Sequence, residues 1–280
     1  MEFLDIIGPL TDPVSHGGDA TDAFDVVAPS IPGFGFSTPV RETGWEATRT
    51  ANAWAELMRR LGYERYGAQG GDIGAGVSGD LSRFDPDHVI GVHVNTDPLA
   101  VAMLVGENIP IDPAALSAAD KVRLDELRQD VAEGKGYLQL QTTRPQTLAY
   151  ALTDSPVGQL AWIVEKFKEW TDATAELPED AVDRDRLLTN ISVYWFTRTG
   201  ASAARFLYEA AHSARDWGGA PSDVPTGMAV FGADPIIRRL LDPENDIEHW
   251  SEFERGGHFA AMETPDLLVG DVRKFFRRFR

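Results

Sequence analysis

An aspartate framed by glycines, Gly70-Gly71-Asp72-Ile73-Gly74, stands between a compact apolar run and a small-residue stretch. In so tight a strand-to-helix turn the central residue is strained and its side chain projects above the sheet, so its neighbours must be small. A carboxylate there is ionised at neutral pH without help, since its reference pKa is about 3.9. It forms an ester with an alkyl carbon, which suits epoxides or alkyl halides rather than peptides or esters. A glycine-rich bend of this kind also serves structural or phosphate-binding roles, and the motif alone leaves those open.

The second group is His258, in Gly256-Gly257-His258-Phe259. Glycine flanks beyond a strand leave an imidazole free to point into a site. The other five histidines, His16, His88, His93, His212 and His249, fall on expected strands, helices or polar turns without such flanks. Asp234, in Phe231-Gly-Ala-Asp-Pro235, follows another expected strand and would orient the imidazole and stabilise its charged form. Asp97 is a competing acid, and an aspartate before proline is also an ordinary turn residue. The chain order of nucleophile, acid and base is that of the α/β-hydrolase triad.

The elements that must position these groups read as strand, helix, strand. Residues 25–30 read as a short buried strand ended by the turn-rich stretch 31–37. Thr43 and Glu46 have capping-box spacing ahead of a helix with Trp54, Leu57, Met58 and Leu61 on one face, closed by Gly62. A strand over 65–69 leads into the aspartate turn, a helix begins at Ala75, and a strand covers 89–95. This alternation predicts a parallel sheet of βαβ units. From about 98 to 222 helical spacing dominates, as in Leu160, Ile163, Val164 and Phe167. Strand-like runs return at 226–231 and 247–254, and a basic amphipathic helix covers 267–279. Its cations suit the negative end of the helix dipole. Most aromatics of the helical stretch, among them Trp162, Phe167, Trp170, Trp195 and Phe196, are expected to be core. The expected division is therefore a core, 1–97 and 223–280, interrupted by a helical lid, 98–222, over the sheet edge where α/β enzymes bind ligands.

Bulk composition bounds the partners. With 26 basic and 44 acidic residues the net charge is −18, which repels nucleic acid and anionic membrane surfaces. The absence of cysteine excludes disulfides, a thiol nucleophile and Cys-ligated zinc, and fits a reducing cytosol. The start MEFLDIIGPL lacks the basic and long apolar segments of a signal peptide, and no apolar run of about 18 residues occurs.

Several long stretches resemble the microsomal-type epoxide hydrolases and their bacterial relatives: GPLTDP (8–13), APSIPGFGFS (28–37), AQGGDIGAG (68–76), LTDSPVGQLAWIVEKF (152–167), LLTNISVYWFTRTGASAARF (187–206) and GGHFAAMETP (256–265). The resemblance implies an α/β-hydrolase fold with a mostly parallel sheet, a helical lid and no cofactor or metal. It makes Asp72 the nucleophile, His258 the water-activating base, Asp234 its partner and the Ile73 N–H an oxyanion donor. It also makes Tyr137, in Gly134-Lys-Gly-Tyr-Leu138, one of two tyrosines that hydrogen-bond the epoxide oxygen.

The sequence departs from the family pattern in three places. Gly232 stands where the family usually has proline. Leu207 falls at the second tyrosine position, with Tyr208 one residue on; that step turns a helical side chain by about 100°, so Tyr208 is a candidate only if the helix shifts. The family's HGWPG-type segment, a source of a second oxyanion donor, and its first strands lie ahead of the stretch matching Glu2 to Pro9. The expectation is an epoxide hydrolase acting on a small-molecule epoxide and water, lacking its first strands, cytoplasmic, with homo-oligomerisation left open. The alternatives are a truncated homologue acting as a binding protein, a haloalkane dehalogenase-like enzyme with Trp195 or Trp217 as halide donors, and an enzyme opening an epoxide with an internal nucleophile.

Overall fold

The apolar runs fold as four parallel strands, β1 (Tyr66–Gly70), β2 (Val89–Val94), β3 (Thr226–Val230) and β4 (His249–Glu252), which lie side by side in chain order. The structure, a computed structural model, describes residues 1–95, 112, 114, 116–213, 222–234 and 236–279. Helix α1 (Leu4–Thr11) opens the chain, α2 (Ala47–Leu61) precedes β1, and α3 (Ile73–Phe84) joins β1 to β2. Between β2 and β3 the described residues form α4 (Ala118–Gly134), α5 (Gly136–Thr143), α6 (Pro145–Asp154), α7 (Pro156–Trp170), α8 (Pro178–Ala181), α9 (Arg184–Thr197) and α10 (Gly200–Ala211). Helix α11 (Arg238–Leu241) follows β3; α12 (Ala260–Glu263) and α13 (Pro265–Phe276) follow β4.

The two-residue period of a strand builds a core on each face of the sheet. Met228 and Val230 pack with Val92 and Val94 against Ala47 and Ala51 of α2 and Val77 and Leu81 of α3. Ala229, with the adjoining Phe231, faces the opposite way, against Ile6 and Leu10 of α1 and Leu268, Val272 and Phe275 of α13. The result is a three-layer helix–sheet–helix sandwich. On the α13 face, Asp271 ties two strands together. Its carboxylate oxygens lie 2.9 Å from His93 Nε2 on β2 and 2.8 Å from His249 Nε2 on β4, and accept a 2.6 Å bond from Ser251 Oγ. Burial would raise this carboxyl, but the bonds to His93, Ser251 and His249 hold it down at about 2.

Two local expectations need correction. Residues 25–30 form no strand, and their side chains range from half-buried to exposed. A strand exists only when a neighbour takes its backbone hydrogen bonds, and β1, the edge of the described sheet, pairs with β2 alone among the described residues. Helix α2 is capped by Glu46 itself rather than through Thr43. The extended backbone of Glu46 folds its carboxylate onto the Thr48 and Arg49 amides at 2.8 Å each. Gly62, at φ 85°, does close the helix.

The cations of the basic C-terminal end also find partners on neighbouring elements. Arg273 donates to the Pro9 carbonyl, Arg277 pairs with the buried Asp22, and Arg278 meets Glu248 at 2.6 Å. Among the described residues no helix is long and apolar enough to cross a membrane.

Candidate active site

Asp72 occupies the turn between β1 and α3 with φ 50° and ψ −125°, a conformation costly for any residue with a side chain. The turn is possible because Gly70 lacks a Cβ: one added there would stand 2.3 Å from the carbonyl carbon and oxygen of Gly74. Gly74 has open space where its own Cβ would go, so the two flanking glycines are not equivalent. The bend points the two oxygens of Asp72 at different partners. Oδ1 accepts the Ile73 N–H at 2.5 Å, and Oδ2 lies 3.2 Å from His258 Nε2.

His258 arrives on the loop after β4, which the helices between β2 and β3 hold in place. The His258 N–H donates to the Trp170 carbonyl at 2.8 Å, at the end of α7. A Cβ on Gly257 would stand 2.5 Å from that same carbonyl, so the second glycine of the pair is what lets the loop pass. Asp172 accepts the Gly256 N–H at 2.9 Å, and Phe259 stacks on Phe167 at 4.0 Å. Glu263 accepts the Asp172 and Phe259 amides at 2.8 and 3.0 Å; burial pushes its carboxyl up to about 7 against those bonds.

The electrostatics of the pair are mutual. The protein crowded around Asp72 pushes its carboxyl up, but the hydrogen bond and charge of His258 and the Ile73 N–H outweigh it, leaving the carboxyl below its ordinary value. Burial pushes His258 down, yet Asp72, then Asp234 and Glu2, carry it above its ordinary value. Half of the Asp72 side chain remains accessible, at 51%, against 23% for His258, so reactant can reach the carboxylate. Asp234, on the turn after β3, accepts the Phe231 N–H at 3.3 Å and reaches His258 through its charge.

Tyr137 sits in the first turn of α5. Its ring lies 5.2 Å from Trp170, which lies 5.1 Å from His258, and the Lys166 ammonium stands 4.8 Å above the Tyr137 ring. Burial and then the Asp72 and Glu169 charges raise the phenol pKa, which keeps it protonated. Tyr208 stands apart. It stacks on His212 at 4.0 Å and lines a groove of about 510 Å³ with Trp45, Arg144, Arg205 and Phe206, none of them in the Asp72 cluster. Asp97 and Trp217 lie outside the described residues. The structure thus gathers Asp72, Ile73, Asp234, His258 and Tyr137 at the carboxyl ends of β1, β3 and β4 and leaves Tyr208 out.

Three further groups at this site carried no functional signal in the sequence. Trp170 links Tyr137 to the histidine loop. Glu2 is pushed up by burial while the His258 charge opposes it, and Asp72 pushes it further. Tyr194 of α9 is raised to about 12, by burial first and then by the Glu2 and Asp72 carboxylates.

No family model matches the chain. A protein of Stigmatella aurantiaca that carries an epoxide hydrolase name is 45% identical over 283 residues, covering 100% of this chain and 62% of its own. Epoxide hydrolase 1 of Oryctolagus cuniculus is 35% identical and covers 98% of this chain and 65% of its own. The crystal structure of the juvenile hormone epoxide hydrolase of Bombyx mori superposes with a TM-score of 0.82 at 31% identity, over 100% of this chain and 69% of the silkworm one. The chain belongs to the epoxide hydrolase family. Its fold is that of the α/β-hydrolases, shared with an Aspergillus niger epoxide hydrolase at TM-score 0.80 and 27% identity. This epoxide hydrolase family chain spans just under two thirds of the length of the curated relatives named here.

Proposed function

We propose that the chain hydrolyses a small-molecule epoxide to a vicinal diol through an ester on Asp72. The observation that carries this reading is the division of labour between the two oxygens of Asp72. Oδ1 is held by the Ile73 N–H, while Oδ2 lies on the histidine side of a side chain that is half accessible. Oδ2 attacks an oxirane carbon, the ring C–O bond breaks, and its electron pair goes to the ring oxygen, to which Tyr137 donates a hydrogen bond. In the ester, Oδ1 is the carbonyl oxygen. His258 then takes a proton from water, the resulting hydroxide attacks Cγ, and the oxyanion forms on the atom already bonded to the Ile73 N–H. Asp234 stabilises the imidazolium. Collapse releases the diol and regenerates the carboxylate. We read the helices between β2 and β3, within residues 98–222, as a lid, since α5 and α7 carry Tyr137 and the Trp170 carbonyl that anchors the His258 loop.

The test separates the two half-reactions. The His258→Gln chain, mixed with styrene oxide, is expected to gain the mass of one epoxide on Asp72, because alkylation needs no base while ester hydrolysis does. Wild-type turnover with no adduct in the variant rejects the ester route.

A further inference from the structure

A lysine with no part in the proposed chemistry is set against its aromatic side chains. Lys166 and Trp170 stand one turn apart on α7 and therefore share a face of that helix. The Lys166 ammonium lies over the Tyr137 ring of α5, 4.8 Å from its centre, and over the Trp170 ring at 5.4 Å. The two rings meet edge to face at 5.2 Å, and Trp170 is 5.1 Å from the imidazole of His258. Only 12% of the Lys166 side chain is exposed, whereas the carboxylates paired with it, Glu165 at 2.9 Å and Glu169 at 2.6 Å, are 58% and 42% exposed. Those pairs keep the amine charged against the pull of burial. The cation is thus the enclosed member of the group, and the anions face water. Lysine gives up hydration and side-chain freedom at such a depth, and an apolar chain of the same length would fill the space without that cost. What the ammonium adds is a positive charge facing the π electrons of Tyr137, whose hydroxyl the proposed reaction uses.

We infer that Lys166 is a positioning residue for ring opening that acts through Tyr137: its ammonium fixes the ring and draws negative charge onto it as the phenol serves the leaving oxygen. The inference rests on the reading above, in which Asp72 forms the ester and Tyr137 is the donor. An oxirane expels an alkoxide, a far stronger base than a phenolate, so the barrier falls as the phenol shares its proton more fully. Charge left on the phenolic oxygen spreads into the ring, and a cation within about 6 Å of the ring centre attracts it more strongly than it attracts the neutral ring. Burial and the Asp72 and Glu169 charges work the other way, holding the proton on the phenol. Asp72 loses its charge as the ester forms, whereas Lys166 keeps its own, so the balance shifts toward release of the proton as the oxirane opens. The proton taken by the alkoxide returns to the phenolate when His258 later removes one from water. Net consumption is one epoxide and one water.

The experiment follows adduct mass against time with 1,2-epoxypropane in the whole His258→Gln chain, with and without Lys166→Met, and repeats both measurements with Tyr137→Phe added. The phenylalanine keeps the ring on which the cation packs and lacks only the hydroxyl. Lys166→Met is expected to slow adduct formation roughly 3- to 30-fold while the Tyr137 hydroxyl is present, the range for a cation on a desolvated ring. Once that hydroxyl is gone the same substitution should cost less than about 2-fold, the limit for groups that no longer act together. Equal losses in the two backgrounds, the mark of a packing defect, or no loss in the first, overturn the assignment. Lys166→Arg keeps a cation that also stacks on aromatic faces and should retain at least about a third of the parental rate; a fall as deep as that of Lys166→Met overturns the assignment too. Should the methionine variant not fold, Lys166→Gln takes its place in both chains with the same expected losses. If the Lys166-intact His258→Gln chain forms no adduct, or Tyr137→Phe alone costs nothing, the underlying reading fails and this inference falls with it, an outcome distinct from failure at Lys166 alone.

Discussion

Replacing Gly70 and Gly74 separately by alanine tests whether the geometry of the bend, rather than its glycine content, holds Asp72. An alanine Cβ at 70 starts 2.3 Å from the Gly74 carbonyl carbon, whereas carbon atoms in contact lie roughly 3.5–4.0 Å apart. The turn must therefore open by more than about 1 Å. Overpacking of this kind costs about 1–3 kcal/mol. At roughly 2–4 °C per kcal/mol for a domain this large, Tm should fall by about 2–12 °C. A shift of about 1 Å in a reacting group can cost roughly 10²-fold in rate, so styrene oxide hydrolysis should fall by that order. Gly74→Ala meets no atom within 4 Å and sits inside α3. There a side chain restricts the unfolded chain and should add a few tenths of a kcal/mol up to about 1, with turnover kept. Thermal denaturation and steady-state hydrolysis on both variants decide the matter. Parental Tm and rate for Gly70→Ala, or equal damage from Gly74→Ala, would show that contact with the 74 carbonyl does not set the bend.

Two further outcomes follow from the buried charges. Asp234→Asn removes a charge that holds His258 protonated, so ester hydrolysis should slow by about 10²–10⁴-fold while Asp72 alkylation continues. A pulse of styrene oxide followed by intact-mass spectrometry should then find adduct at steady state. Asp271→Asn leaves His93 and His249 facing an amide in place of a buried carboxylate, and should cost about 3–5 kcal/mol in urea denaturation. The parental Asp271 carboxyl lies near 2 when folded, below its ordinary 3.8. Its contribution is therefore complete above about pH 4 and is lost as pH falls toward 2; the asparagine variant should lack that part of the acid slope.

The sequence was legible where the cause is local. The β-branched run of β2 forms its strand, the last turn of α2 stops at Gly62 because the backbone there needs a positive φ, and the glycine-bracketed Asp72 adopts a bend that no larger neighbour at 70 permits. It was illegible where the cause is a neighbour far along the chain. Residues 25–30 have the composition of a strand, but strand formation is settled by what lies alongside. The choice between Thr43 and Glu46 as cap turns on the dihedrals of one residue, and spacing cannot rank them. His93 and His249 look like ordinary strand histidines until Asp271, from the C-terminal helix, is seen between them. Tyr194, likewise, reads as one more aromatic in a helix until the Glu2 and Asp72 charges are seen to act on it.

What joins Asp72 to His258 also orders the two proposed steps. Burial favours a neutral imidazole, and the bond and charge of Asp72 lead the interactions that oppose it. While the carboxylate is free, the histidine is held toward its charged form, which is useless as a base and supports the anion. Forming the ester cancels that anion, and the strongest support for the imidazolium goes with it. Burial is then opposed only by the Asp234 and Glu2 charges, so the imidazole should accept a proton from water more readily once there is an ester to hydrolyse. Asp234 keeps the resulting imidazolium from becoming too costly, which is why removing its charge should strand the ester rather than prevent it.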